Sequence, residues 1–129
     1  MCYCDSGLAA DVCCNPLLLG SRIAQSPLEL MRSGYSAFVT RNPQYLEKTA
    51  KLDALAQWNK TKGSQWQAFT RLEIIACSEI NTKQKRGFVE FKAYYINDNI
   101  SSYIHERSQF QKIGRCWYYI KGRIKNNPV

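Results

Sequence analysis

Four of the six cysteines lie within the first fourteen residues, and their spacing indicates a metal site. They form the pattern Cys2-x-Cys4-x8-Cys13-Cys14. Zinc prefers four ligands in a tetrahedron with Zn–S distances near ~2.3 Å, and two short loops that each supply two thiolates meet that geometry. Gly7 allows a tight turn between the pairs, so that backbone N–H groups can point at the sulfurs. The sequence therefore predicts that these four cysteines bind one zinc ion.

Two other interpretations of the cysteine cluster stay open, namely buried thiols and an oxidised pair. A disulfide between the adjacent Cys13 and Cys14 would be strained. The sequence shows no basic segment followed by an apolar run, the pattern that would indicate a secretory signal. No apolar run approaches the roughly 20 residues that span a bilayer. We therefore expect a cytoplasmic protein with no membrane partner. Thiols stay reduced in that compartment, which favours metal ligation.

A second candidate site comes from the strand predicted at residues 101–112. One face of this strand carries Ile104, Glu106, Ser108 and Phe110, because side chains alternate along a strand. The apolar members predict that this face points inward and brings Glu106 into the interior. A buried carboxylate needs a partner or a raised pKa. Arg32 and Tyr35, on a predicted helix, are the candidates to meet it.

The Glu106 region has two readings. In the first, Arg32 and Glu106 form an ion pair that only fixes the helix on the sheet. In the second, a ligand pocket is lined by Arg32, Tyr35, Glu106 and Ser108. His105 lies on the opposite strand face and is expected to point to solvent or to a neighbouring strand. No nucleophile–base pattern, phosphate-binding loop or metallohydrolase motif is visible, so the sequence assigns no catalytic residue and leaves enzymatic activity undecided.

The elements that would position these residues begin with helices. Ser26 can cap a helix, Pro27 suits its first position and Glu29 completes a capping box. An apolar face follows at helical spacing: Leu28, Met31, Tyr35, Phe38 and Val39. Asn42 and the proline after it predict the start of a second helix. A short third helix is predicted at residues 53–58.

Strands follow the helices along the chain. Residues 67–78, 86–96, 101–112 and 115–121 are rich in β-branched and aromatic side chains and are separated by polar breaks. Helices followed by a run of antiparallel strands predict an α+β fold, in which the helices pack on one face of the sheet.

The net charge of +8 is unevenly distributed over the 129 residues. Residues 1–59 hold five basic and five acidic side chains, whereas residues 60–129 hold thirteen basic and five acidic ones. A basic half of this kind is a reason to consider nucleic-acid binding. Basic residues also serve simply to keep a small protein soluble. The content of 45% hydrophobic and 22% charged residues is ordinary for a globular chain and argues against disorder.

The cysteine segment, with the order Cys2-Tyr-Cys-Asp-Ser-Gly followed by Cys13-Cys14, resembles the SEC-C metal-binding motif. Residues 31–38, 105–110 and 117–122 are similar to signature blocks of the YchJ-like SEC-C proteins, small bacterial proteins of largely unknown function. Arg32, Tyr35, Glu106 and Ser108 all lie in these blocks. The motif usually has glycine where this chain has Asp5.

The resemblance implies an architecture for the whole chain. A SEC-C-like zinc knuckle and linker would occupy residues 1–25, and a basic tail would occupy residues 123–129. Between them, residues 26–122 would form a nuclear transport factor 2-like (cystatin-like) domain. In that fold, helices close over a curved antiparallel sheet and leave a pocket between them.

Three functions are compatible with these observations. The first is a zinc-binding protein that serves as a protein-interaction or ligand-binding module, with a partner protein on the knuckle or a homodimer through the sheet. Knuckles of this type in SecA contact other proteins, which favours this function by analogy alone. The alternatives are an RNA- or ribosome-associated basic protein, and a pocket enzyme of the nuclear transport factor 2-like superfamily.

Overall fold

The computed structural model describes residues 1–51, 68–79 and 83–125. A 3-10 turn at Ala10–Val12 precedes three helices, which are α1 (Asn15–Leu18), α2 (Pro27–Val39) and α3 (Pro43–Lys48). Four strands follow, which are β1 (Ala68–Cys77), β2 (Arg86–Asn97), β3 (Ile100–Ile113) and β4 (Cys116–Ile124). The predicted α+β order is confirmed. The third helix predicted at residues 53–58 lies outside the described residues.

Side-chain caps fix the starts of α2 and α3. The Ser26 hydroxyl accepts a hydrogen bond from the Glu29 amide at 3.2 Å, and Asn42 Oδ1 accepts one from the Tyr45 amide at 3.1 Å. Glu29 Oε1 accepts a hydrogen bond from the Gln25 amide at 2.7 Å. In the usual capping box the glutamate accepts from the amide of the cap residue itself, which here is Ser26. Such caps contribute about 1 kcal/mol each. They fix the residues at which α2 and α3 begin.

The sheet is an antiparallel meander with the strand order β1-β2-β3-β4. Asp98 and Asn99 both have positive φ, as a two-residue type I′ turn between twisted strands requires. In the register of β2 and β3, Phe91 lies opposite Glu106 and Val89 opposite Ser108. The polar side chains of the second candidate site therefore stand on the same sheet face as core residues.

The last strand corrects the predicted basic tail. The tail was expected to begin at residue 123, but β4 continues to Ile124, which pairs with Glu106. The Lys125 amide also donates to the His105 carbonyl at 2.6 Å. The strand extends further than its sequence suggests because β3 begins at Ile100, so backbone partners are still available to β4 at Glu106.

One hydrophobic core joins the helices, the sheet and the cysteine segment. From the sheet it contains Leu72, Val89, Phe91, Ala93, Phe110 and Trp117, and from the amino-terminal segment it contains Cys2, Cys4, Cys14 and Leu17. The segment 1–25 is therefore packed into the domain and is not a detached appendage.

Helix α2 uses two of its faces for different purposes. Its most deeply buried side chains include Ser33 and Ala37, both with no exposed surface. Small side chains there allow α3 to pack closely against α2. The Ser33 hydroxyl lies 2.7 Å from the Tyr45 hydroxyl of α3. The predicted apolar face is less buried, apart from Tyr35, because Met31 and Phe38 line a cavity.

Within residues 1–51, 68–79 and 83–125, none of the helices is long and apolar enough to cross a bilayer.

Candidate metal centre and pocket

The four cysteines of the amino-terminal segment form one compact sulfur cluster. All four Sγ atoms lie within 4.8 Å of one another. Cys4 Sγ is 3.5 Å from Cys13 Sγ, and Cys13 Sγ is 3.9 Å from Cys14 Sγ. In a tetrahedron with Zn–S distances of ~2.3 Å, neighbouring sulfurs are ~3.8 Å apart. The donor set and its spacing therefore fit a four-coordinate zinc ion.

The backbone brings the two cysteine pairs together through two short turns. The Cys2 amide donates to the Leu8 carbonyl at 2.7 Å and closes the first loop. That loop turns through left-handed backbone at Asp5 (φ 60°) and Gly7 (φ 87°). The Cys13 amide donates to the Ala10 carbonyl at 3.1 Å, and this bond ends the 3-10 turn beside the second pair.

Neighbouring side chains hold the sulfur cluster against α2. Ser6 Oγ lies 3.1 Å from Cys13 Sγ, and the buried Ser36 Oγ of α2 lies 3.7 Å from Cys2 Sγ. Arg32 Nη1 donates to the Cys4 carbonyl at 2.6 Å. Contacts of this kind orient metal ligands and are part of how a protein holds its metal. Helix α2 thus serves as the platform for the knuckle.

Protons are shared unequally among the thiols. Hydrogen bonding from Cys14, with smaller contributions from Ser6 and Cys13, lowers the pKa of Cys4 to about 4. The hydrogen bond to Cys4, followed by burial, raises the pKa of Cys14, and burial raises that of Cys13. One thiolate is therefore stabilised at the expense of its neighbours. Ionisation of all four requires a compensating cation, and a divalent ion would leave the cluster with a charge of about −2.

Asp5 links the cysteine loop to the sheet. Its Oδ2 accepts a hydrogen bond from the Leu72 amide of β1 at 2.8 Å. Its backbone lies in the left-handed region, which explains why the SEC-C motif usually has glycine at this position. Aspartate tolerates that conformation better than most residues, and here its side chain gains a partner. Sequence reasoning treated Asp5 only as a departure from the motif and missed this contact.

A cavity of about 360 Å³ lies between α2 and the inner face of the sheet. Its walls are mainly apolar and include Met31, Phe38, Phe69, Phe91, Ile104 and Phe110. Three of the four residues predicted to form a pocket line it, namely Tyr35, Glu106 and Ser108. Burial, followed by the negative charge of Asp5, raises the pKa of Tyr35 to about 12.

The predicted contact between Arg32 and Glu106 is wrong. The Arg32 guanidinium reaches the Cys4 carbonyl, and Arg32 is not among the described residues that line the cavity. Glu106 Oε2 instead accepts hydrogen bonds from Ser108 Oγ at 2.6 Å and from the Tyr119 hydroxyl at 3.0 Å. Arg32 takes another partner because the knuckle packs over its side of α2, an arrangement that helical periodicity alone does not reveal.

Tyr119 and Gly122 of β4 complete the surroundings of Glu106. Burial, and then the charge of Glu106, raise the pKa of Tyr119, so its hydroxyl stays protonated and donates. A Cβ atom at Gly122 would overlap the Glu106 carboxylate and lie 2.6 Å from the Tyr119 hydroxyl. Glycine therefore makes room for the carboxylate. Sequence reasoning missed both residues, although the alternation around the buried Trp117 places Tyr119 on the inner face.

His105 lies on the opposite sheet face, as predicted from the alternation of β3. Its Nε2 is 2.8 Å from Glu90 Oε2. This hydrogen bond, helped by the charge of Lys125 and that of Arg107, lowers the pKa of Glu90. Glu90 thus stays ionised among basic neighbours, and the His105 interaction belongs to the outer surface of the sheet.

Fold and site together define a small α+β protein in which a four-cysteine knuckle is built onto a cavity-bearing nuclear transport factor 2-like domain. A family model described as the middle nuclear transport factor 2-like domain of YchJ matches residues 26–122. The chain belongs to this YchJ family, and the resemblance predicted from the sequence is confirmed.

Relatives and solved structures agree with this assignment. A UPF0225 protein of Serratia proteamaculans is 36% identical over 130 residues, and one of Yersinia pseudotuberculosis is 39% identical; each alignment covers 95% of this chain and 82% of the relative. The solution structure of a SEC-C motif containing protein from Rhodopseudomonas palustris matches with a TM-score of 0.84 at 33% identity, over 97% of this chain and 98% of that one. A crystal structure of a SEC-C motif containing protein from Psychrobacter arcticus matches with a TM-score of 0.69 at 27% identity, over 99% and 83%.

Proposed function

We propose that this chain is a zinc-binding protein in which the metal is structural and supports a ligand-binding module. The observation that carries the proposal is the set of four cysteine Sγ atoms within 4.8 Å of one another. A zinc ion held there by Cys2, Cys4, Cys13 and Cys14 would have all four positions filled by protein. Such a closed site has no place for a reactive water, which favours a structural over a catalytic role.

The position of the cluster explains what the metal would stabilise. Cys2 and Cys4 belong to the same core as Leu30 and Tyr35 of α2. The knuckle also contacts α2 through Arg32 and the sheet through Asp5. Joining the two cysteine loops with a metal would therefore stabilise the packing of α2 above the sheet, because metal-binding free energy becomes folding free energy.

The ligand-binding part of the proposal is supported by the cavity under α2. Its volume of about 360 Å³ is within the range of small-molecule sites, and its walls combine an apolar lining with a few convergent polar groups. The described residues add no support to RNA or ribosome association or to catalysis in the pocket. A protein partner on the knuckle and a homodimer through the sheet stay predictions.

The zinc site is tested by measuring metal content and thermal stability of freshly purified protein. We expect about one zinc per chain, and we expect Cys4→Ser to lose most of it together with a large drop in the melting temperature. Cys77→Ser is the matched control, because Cys77 is an exposed cysteine of β1 outside the cluster. Equal zinc content in the Cys4→Ser and Cys77→Ser variants would contradict the proposal.

A further inference from the structure

The cavity under α2 carries an unbalanced negative charge. Among the described residues that line it, Glu106 has the only carboxyl group, and none is lysine, arginine or histidine. The remaining lining groups are apolar or carry uncharged hydroxyls, and the nearby Arg32 is engaged by the Cys4 carbonyl. A carboxylate in apolar surroundings is costly to desolvate unless a positive partner accompanies it. The described lining of the cavity therefore lacks a positively charged group to pair with Glu106.

The hydrogen bonds of Glu106 leave one of its oxygens available. Ser108 and Tyr119 both donate to Oε2, at 2.6 Å and 3.0 Å. Within the described part of the chain, Oε1 accepts no hydrogen bond. Every buried side-chain oxygen of the described residues has a hydrogen-bond partner. Because Oε1 has none, it is not buried and is accessible from outside the protein. Oε1 can therefore receive a donor from a ligand.

Aromatic rings form much of the remaining wall. Phe69 lies 5.7 Å from Tyr35 between ring centroids, and Phe110 lies 5.8 Å from Tyr119. Ring faces attract cations and also accept the apolar body of a ligand. The wall thus favours a molecule that has both an apolar part and a positive charge.

We propose that this cavity binds a small organic cation, in which an ammonium group donates to Glu106 Oε1 and an apolar body packs against the aromatic wall. The inference rests on the proposed ligand-binding function and names its ligand class. An anion of the same size is repelled by Glu106. A neutral apolar molecule fills the space but leaves the carboxylate desolvated and unpaired.

Three probes of similar size and shape test the charge preference on zinc-loaded protein. These are 2-phenylethylammonium, neutral 2-phenylethanol and anionic 3-phenylpropanoate, with binding followed by ligand-observed NMR. We expect the ammonium to bind at least tenfold more tightly than the alcohol, and the carboxylate to bind most weakly. An alcohol that binds as tightly as the ammonium would overturn the cation proposal but leave the cavity as a ligand site. No binding of any probe at millimolar concentration would overturn both.

Variants assign the preference to Glu106. Glu106→Gln keeps an oxygen that can accept from Ser108 and Tyr119 but removes the charge. We expect the tenfold preference for the ammonium to fall below about twofold. Glu90→Gln is the control, because Glu90 is a carboxylate on the opposite face of the sheet, paired with His105. A preference that survives in Glu106→Gln, or that disappears equally in Glu90→Gln, would overturn the assignment.

Discussion

At the scale of single residues, the cysteine loop combines a strained backbone with a compensating contact at Asp5. Its φ of 60° lies in the region that glycine adopts most easily, while its carboxylate accepts the Leu72 amide at 2.8 Å. Left-handed backbone costs a residue with a Cβ about 1–2 kcal/mol. A hydrogen bond to a charged acceptor contributes about 1.5–3 kcal/mol. The two effects act in opposite directions at one position and can be separated by substitution.

We expect Asp5→Ala to destabilise the zinc-loaded protein by about 1.5–3 kcal/mol, because it keeps the strain and loses the bond. Asp5→Gly also loses the hydrogen bond but relieves the backbone strain. It should therefore be more stable than Asp5→Ala by about 1 kcal/mol. Urea unfolding measures the free energies of unfolding.

Asp11→Ala is the control for the Asp5 series, because Asp11 is an exposed aspartate of the same segment and its removal changes the charge equally. It should change the free energy of unfolding by no more than about 0.5 kcal/mol. If Asp5→Ala proved as stable as Asp5→Gly, backbone strain at this residue would be excluded.

The sequence predicted some site residues and missed others for a physical reason. Spacing alone grouped the four cysteines, since ligands within fourteen residues can meet through local turns. Strand alternation alone placed Glu106 with Ile104 on one face. The partners of Asp5 and Arg32 depend on how the cysteine segment lies over α2 and β1. Such long-range packing leaves no local periodicity for sequence reasoning to detect.

At the scale of elements, α2 is the platform that the knuckle and the cavity share. Arg32 points from it to the Cys4 carbonyl, Ser36 to Cys2, and Tyr35 to the cavity. One helix thus contacts both the sulfur cluster and the cavity. A change on the knuckle side of α2 should therefore be measurable at the proposed zinc site.

We expect Arg32→Met to release zinc to a chelator about tenfold faster than the unaltered protein. Methionine keeps the length of the side chain but cannot donate to the Cys4 carbonyl, and outer contacts of this kind often change metal affinity 10- to 100-fold. A colorimetric chelator follows the release in time.

Arg123→Met serves as the matched control for zinc release, because Arg123 is an exposed arginine of β4. Its release rate should stay within about twofold of the unaltered protein. Equal rates of zinc release in the two variants would show that the hydrogen bond from Arg32 to the Cys4 carbonyl does not help to retain zinc.

The boundaries of the elements followed local signals where such signals exist. Ser26 and Asn42 marked the starts of α2 and α3 because a cap is a contact between neighbours three residues apart. The far end of β4 was missed because its extension to Ile124 depends on pairing with β3. Register irregularities, such as the one between Gln109 and Phe110, also arise from pairing and had no signal in the sequence.

At the scale of the whole molecule, the amino-terminal segment and the sheet domain share one core. The architecture implied by the family resemblance separated them at residue 25. The structure buries Cys2, Cys4 and Cys14 with residues from the sheet. The cysteine cluster is consequently part of the core of the whole fold, and it contacts α2, the helix that also lines the cavity.

The outer sheet face gives the molecule a second distinct surface. Arg71 lies over the Tyr94 ring at 4.1 Å, and Arg107 lies over the Phe88 ring at 3.7 Å. Such pairs cover aromatic rings with charge and keep part of this face polar. The predicted homodimer through the sheet would have to form over this mixed surface.

X-ray absorption at the zinc edge of freshly purified protein tests the central claim most directly, because it reports the number and type of metal ligands. We predict one zinc per chain with a single shell of about four sulfur atoms at ~2.3 Å. A metal-free sample, or zinc coordinated mainly by nitrogen and oxygen, would contradict the account of a closed four-cysteine site.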